Sequence, residues 1–416
     1  MSIRTLPPRR PVATTTGPAE VARSLGHRLA AVLRPVRVLD AVRWPGEVEA
    51  AFLAAGVTEL PAVTADTYRC RPLPFSPAAS RAELRRIEHD TRNQLGHEEP
   101  AARLLLKAAR EAELTVQLVE ARGTPAFAVL SRELYGTTLN ADWPRQLEAV
   151  LGKLHVALPA HTPPRTIAAP TAAEDLATRF ARTFGAGVRV TLCDQIAADA
   201  CAGNGYLKLR AAATFSPTDV RMLEVHEGWA HLGTTLNARL QSSLPTLGWC
   251  SPAATRTQEG LAVFLELATG AASRERVRKI VNRTRAVAMA EAGADFRDVF
   301  RHFRDTTHDP ADAFRQAARI FRGSVPTGGP FTKDACYGEG LVRVLRFVHG
   351  ELARGGWGRV PLLMCGKTAV EDAALLADLG RAGLLAPARW VPPTFRDRAA
   401  LLGWMESIAL PGYNAA

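Results

Sequence analysis

The sequence has no C-x-x-C pair. Its six cysteines (Cys70, Cys193, Cys201, Cys250, Cys336 and Cys365) are scattered through 416 residues, without the spacing of a disulfide framework or a zinc ribbon. That usage fits a reducing compartment. No apolar run approaches the roughly 18 residues that a membrane-spanning helix needs. The opening "MSIRTLPPRRPVATTTGPAE" carries an Arg-Arg pair with no apolar h-region behind it, which argues against secretory and twin-arginine export. A P-loop, a G-x-S-x-G elbow and a full dinucleotide fingerprint are also missing; "GAGVRV" and "GNGYLK" are glycine pairs outside any βαβ setting. These absences predict a soluble cytoplasmic protein with no membrane partner, outside the common nucleotide-binding and serine-hydrolase classes.

What is present is a large supply of core. Hydrophobic residues make up 47% of the chain, enough for one large core or two smaller ones, and the length favours two or three domains. The formal net charge is +11, but it rests on arginines in an Ala- and Arg-rich composition of the kind a GC-rich genome produces, so charge says little about partners. Residues 1–20 are Pro/Thr-rich and basic and read as a disordered tail. Residues 21–160 show helical apolar spacing, as in "SRAELRRIEHDTRNQL". The proline-rich "LPAHTPPRTIAAPTA" (158–172) marks a connection, and 170–416 reads as a second, catalytic unit. Within it "VRVTLCD" and "YLKLRAAATFS" are strands and the remainder is helical. The expected class is mainly α with a small β-sheet, α+β.

"LEVHEGWAHL" (223–232) follows a helix start made by Ser216 as cap, Pro217 in the first turn and Asp219 near the positive dipole end. His226 and His231 flank Glu227 as H-E-x-x-x-H. Zinc-peptidase helices carry H-E-x-x-H. On an ideal helix, positions four apart lie about 40° apart around the axis and positions five apart about 140°. One face is restored if a residue is looped out as a π-bulge, which Gly228 eases. Two histidines and a glutamate on an amphipathic helix are equally consistent with partly buried polar residues. A third ligand would favour a metal, and Glu259, at the start of the amphipathic "TRTQEGLAVFLELATG", can face the first helix. Its other reading is a dipole-stabilising carboxylate. Glu266, two turns later, can accept a hydrogen bond from a ligand histidine.

"HEGWAH" followed by "QEGLA" resembles the QEGLA-motif family, also described as the microtubule-associated tyrosine carboxypeptidase-like or flavohemoglobin expression-modulating group. "NARLQ" (Asn237 to Gln241), "RIFRG" (Arg319 to Gly323) and "FTKDACYGEG" (Phe331 to Gly340) match further, in the family's order. The resemblance implies a mostly helical metallopeptidase whose motif helix has the longer spacing. His226, His231 and Glu259 are then the ligands of Zn2+, and Glu227 is the catalytic base. The chain departs from the family at Gly228 and Ala230, where β-branched Ile and Thr are usual, and at Gly338, where leucine is common.

Zinc with three protein ligands keeps a position for water, lowers its pKa and polarises a carbonyl, and Glu227 beside it can take the proton. Tyr337 is the candidate second oxyanion stabiliser; its alternative is a core tyrosine. A carboxypeptidase also needs a cation for the substrate's terminal carboxylate, and Arg319, Arg322 and Lys333 are the candidates, each alternatively a solvated charge. Asp334 can orient Lys333 or a histidine. His302 and His308 read as surface. The basic run "SRERVRKIVNRTR" (273–285) raises nucleic-acid or acidic-partner binding, but it lacks interleaved aromatics and reads as a solvated face. A non-catalytic, regulatory metal protein is a further alternative, against which intact Glu227 argues. The expected function is a zinc-dependent carboxypeptidase acting on peptide or protein C-termini, with an endopeptidase that processes a precursor peptide as the alternative. Nucleic acid is not an expected partner.

Overall fold

Proline in the first turn opens many of the long helices, where its missing N–H costs nothing and its fixed φ is already helical. A computed structural model describes residues 17–159, 162–194, 196 and 198–408. Residues 1–16 of the expected tail lie outside the described residues; the first helix begins at Pro18. The principal helices are α1 (Pro18–Leu33), α2 (Pro77–Leu95), α3 (Pro100–Glu120), α4 (Pro125–Tyr135), α5 (Trp143–Ala157), α6 (Ala169–Phe184), α7 (Pro217–Leu223) and α8 (Gly233–Ala238). They continue with α9 (Pro252–Ala268), α10 (Arg274–Glu291), α11 (Phe296–Thr307), α12 (Pro310–Phe321), α13 (Cys336–Ala353) and α14 (Ala373–Arg381). The chain is 65% helical and 4% strand, a mainly α fold with a small β component. Among the described residues no helix is long and apolar enough to cross a membrane.

The largest core cluster draws on residues from both sides of the 158–172 connection. Phe52 of the N-terminal region packs edge-on against Phe296 and Phe300 of α11, and Trp143, Leu147 and Val150 of α5 join the same cluster as Leu341, Val344 and Leu345 of α13. Around α4, Phe127 and Tyr135 pack on Phe331. The "RIFRG" stretch ends α12 beneath Tyr68, whose hydroxyl accepts from Gly323 N and Trp44 Nε1 and donates to Ser324 O.

The sheet runs β2 (Arg189–Cys193), β4 (Tyr206–Arg210), β3 (Ala200–Ala202), with β2 parallel and β3 antiparallel to β4. Leu207 and Leu209 alternate inward onto Phe180 and Phe184 of α6, the period-2 burial that fixes register. The expected single strand from Tyr206 breaks in a turn closed by Ala213 N to Arg210 O; Thr214–Phe215 becomes β5 and pairs with β1 (Ile167–Ala168). β3 was not expected. Its Ala-Cys-Ala side chains carry no strand signal, yet it lies across the motif helix.

"NARLQ" is a clamp on the C-terminal loops. Asn237 Nδ2 donates to Met364 O and Trp390 O while its Oδ1 accepts from Arg389 N and Trp390 N; Gln241 exchanges two bonds with Ala386 and donates to Cys365 O.

Candidate active site

The motif helix starts with a closed capping box: Ser216 Oγ accepts from Asp219 N at 3.0 Å and Asp219 Oδ2 from Ser216 N at 2.8 Å. From Glu224 to Leu232 the backbone widens into a nine-residue π-helix, longer than a single looped-out residue, and Gly233 N reaches Gly228 O. Side chains bond the carbonyls at its exit. Thr234 Oγ1 donates to Ala230 O (2.6 Å), Thr235 Oγ1 to His231 O (2.7 Å) and Lys367 Nζ to His231 O (2.9 Å). Gly228 has a packing role besides any backbone ease: a Cβ there would stand 2.5 Å from Phe180 Cε1. Gly338 is likewise closed off, since its Cβ would meet Leu147 Cδ2 at 2.6 Å.

Widening turns the two imidazoles to one side, their centroids 4.8 Å apart and their planes perpendicular. Glu259 comes from α9, and its Oε2 lies 3.7 Å from both His226 Nε2 and His231 Nε2. The ligand atoms of these three residues fall within 4.8 Å of one another, a grouping that can hold a metal ion. Ligand atoms about 2.0–2.1 Å from a common tetrahedral centre are separated by roughly 3.4 Å, close to the two carboxylate–imidazole spacings of 3.7 Å. Glu259 Oε2 is buried without a hydrogen-bond partner, while Oε1 accepts from Lys333 Nζ at 3.3 Å. Burial works to raise this carboxyl's pKa, but Lys333 and the two imidazoles hold it well below the usual range.

Behind His226 stands a buried relay. Its Nδ1 is 2.6 Å from Glu266 Oε1, the acceptor role read for Glu266 in the sequence, which leaves Nε2 toward Glu259. Arg276 grips the same carboxylate through Nε and Nη2, each at 2.9 Å. Burial opposes the charge on Glu266, yet Arg276 and His226 outweigh it and hold the pKa at about 2. His226, buried but beside that carboxylate, is shifted upward.

Glu227 Oε2 accepts from Ala202 N of β3 at 3.0 Å, and its Oε1 is 3.9 Å from His226 Nε2. A cleft of about 390 Å³ opens beside it, lined by His226, Glu227, Tyr337, Arg276, Arg283 and Arg319. Across β3 a second cleft of about 810 Å³ is lined by His231, Ala202, Arg239, Cys250 and Lys367. Tyr337 faces the first cleft with its ring nearly parallel to His226, centroids 6.4 Å apart. Burial, then Glu259, raises its hydroxyl pKa.

The basic candidates separate. Arg319 lines the first cleft but is bound through Nε and Nη2 to Asp334 at 2.7 and 2.8 Å. Arg322 lies over the Phe331 ring, 3.9 Å from the same carboxylate. Lys333 contacts Glu259, and Asp334 orients arginines instead of Lys333 or a histidine. His308 is exposed and His302 half-buried against Phe303, both away from the clefts.

Residues 50–410 match the family model described as microtubule-associated tyrosine carboxypeptidase. The chain belongs to that family. No curated protein matches at a significant level. A solved structure from Colwellia psychrerythraea, described as a lipoprotein, is 13% identical with a TM-score of 0.41, covering 81% of this chain and 72% of that one. For a microtubule-associated tyrosine carboxypeptidase family member, three residues here escaped the sequence reading. Arg276 and Arg283 sit in the basic run read as a solvated face, but they are seven apart, two helical turns, and both enter the cleft. That spacing beside the apolar Val277, Ile280 and Val287 was the available signal. Lys367, bonded to Thr234 and Gln258 as well as His231 O, carried none.

Proposed function

We propose that this chain is a zinc-dependent carboxypeptidase that removes C-terminal residues from peptides or proteins. The observation that carries the reading is Glu259 Oε2, buried, unpartnered and equidistant from two imidazole nitrogens. Two neutral nitrogens and one carboxylate are a recurring donor set for catalytic zinc, and His226, His231 and Glu259 would hold it. The ion supplies a Lewis acid that lowers the pKa of water and polarises the scissile carbonyl.

Glu227 is the general base in this reading. Its Oε2 is occupied by the Ala202 N–H, so Oε1 is the oxygen that takes the proton of the attacking water and passes it to the departing amine. Tyr337 donates to the developing oxyanion; its raised pKa keeps the hydroxyl protonated. Lys333 fixes and neutralises Glu259, while Arg322 and Arg319 share Asp334, with Arg319 also facing the substrate. Two clefts, one lined by His226 and the other by His231, also favour a second reading, an endopeptidase whose substrate passes along both.

Metal analysis beside turnover on a mixed peptide library tests this. Wild type binds one zinc and shortens peptides from the C terminus. Glu259→Ala loses most of the zinc. Glu227→Gln keeps it and loses about 10²–10⁴-fold in turnover. Equal zinc in wild type and Glu259→Ala would remove the third ligand, and internal fragments among the products would select the endopeptidase.

A further inference from the structure

Six arginines line the cleft beside the triad, and five of them have their charge answered by a carboxylate of the protein; Arg165 and Arg210 pair with Asp199, and Arg315 with Glu49. Arg276 is bound twice to Glu266 and Arg319 twice to Asp334. Arg283 is different. Its Nε donates to the neutral Gln316 Oε1 at 3.2 Å and its guanidinium lies 5.4 Å over the Tyr337 ring. Among the described residues no carboxylate comes within 4.0 Å of it, and none of its terminal nitrogens has a hydrogen-bond acceptor. Guanidinium does not shed its proton, so a half-buried arginine with no anion in contact is a charge whose desolvation the more distant Asp334 repays only in part. Burial, then repulsion from Arg319, pushes its pKa down, which an arriving anion would relieve.

We propose that Arg283 binds the free α-carboxylate of the substrate's last residue and thereby confines cleavage to chain ends, an inference that rests on the peptidase reading above. The fork matches a carboxylate in shape and charge, and it is the one arginine of the six that can take an anion without displacing another. It stands one aromatic ring from the triad, because Tyr337 stacks beside His226 and also meets Arg283. Extended chain covers at most about 3.3–3.6 Å per residue, so a short C-terminal segment bridges from a carbonyl at the triad to the fork. The larger cleft beyond β3, past His231, then receives the upstream chain.

The test compares one peptide library made with free-acid and with amidated C termini, cleaved by zinc-loaded wild type, Arg283→Met and Arg283→Lys. Circular dichroism and zinc content establish that each variant is folded. Wild type prefers the acid form by on the order of 100-fold in kcat/KM, as expected for a charged hydrogen-bonded pair. Arg283→Met brings the acid-to-amide ratio near one, chiefly by raising KM for the acid form. Arg283→Lys, a charge without the fork, restores part of it. Wild type cleaving both forms equally overturns the anchor and leaves the peptidase reading standing. An undiminished acid preference in Arg283→Met, or, if the Met variant does not fold, a preference in Arg283→Lys as large as that of wild type, also overturns it. No turnover on either form overturns the peptidase reading and the anchor with it.

Discussion

A Cβ on Gly260 would stand 2.0 Å from the carbonyl carbon of Gly340. Helices α9 and α13 therefore cross with their backbones in contact, one residue from Glu259 and three from Tyr337. The crossing sets how far the carboxylate of the triad reaches toward the histidines.

Gly260→Ala is expected to destabilise the fold by about 3 kcal/mol, since the clash is with backbone and cannot be relieved by a rotamer. Zinc content should fall with it. Gly152→Ala, on an exposed helix position with open space around it, is the control and should be neutral or stabilising by up to about 1 kcal/mol. Chemical denaturation of the two variants reads the difference; equal midpoints would mean that the helices have room to separate.

Glu266→Gln keeps the shape of the relay behind His226 and removes its charge. The expected outcome is a 10- to 100-fold weaker affinity for zinc, the usual effect of losing a carboxylate behind a ligand histidine. Arg276, left buried without its anion, should add a stability loss of about 3 kcal/mol. A zinc competition titration with a chelator separates the two effects, and unchanged affinity would show that His226 needs no support from behind.

Much of this architecture is legible from local chemistry. Ser216, Pro217 and Asp219 announce a helix start, the H-E-x-x-x-H spacing demands a widened backbone, and Glu266 falls at the distance that lets it back a histidine. What local chemistry does not carry is any feature whose reason lies in another segment. β3 is a strand because β4 pairs with it and Glu227 caps Ala202 N, not because Ala-Cys-Ala prefers extension. Arginine reads as solvated, and only the fold supplies Glu266 to Arg276 or Tyr337 to Arg283. Lys333 and Glu259 illustrate the same point, an ion pair between residues 74 positions apart.

Asp334 yields a pH-dependent prediction. Burial raises its carboxyl pKa, but Arg319 and then Arg283 and Arg322 override that and hold it far below the ordinary value. A depressed folded-state pKa adds stability that is complete above the unfolded value, about pH 4, and is lost as pH falls below it. Asp334→Asn should therefore cost about 3–5 kcal/mol at pH 7, because Arg319 loses its buried partner. The gap between wild type and variant should narrow on acidification below about pH 4. Urea titrations from pH 7 to pH 3 check the sign, and a gap that widens toward acid would contradict it.

Lys367 gives the last prediction. Its buried ammonium donates to His231 O, Thr234 Oγ1 and Gln258 Oε1, at 2.9, 2.9 and 3.0 Å, and all three acceptors are neutral. These belong to the π segment, α8 and α9, so one cation pegs together the elements that present His231 and Glu259. Lys367→Met strands acceptors, costing about 1–3 kcal/mol, but also relieves the desolvation of an unpaired charge, which burial already disfavours. The two effects oppose, so global stability should change by less than about 2 kcal/mol. The triad has no such compensation: without the peg, His231 and Glu259 are free to drift apart, and zinc affinity should drop at least about tenfold. Lys367→Arg, still a donor, should recover part of it. A metal affinity in Lys367→Met within twofold of wild type would mean that the Thr234 to Gln258 hydrogen bond alone holds the helices in place.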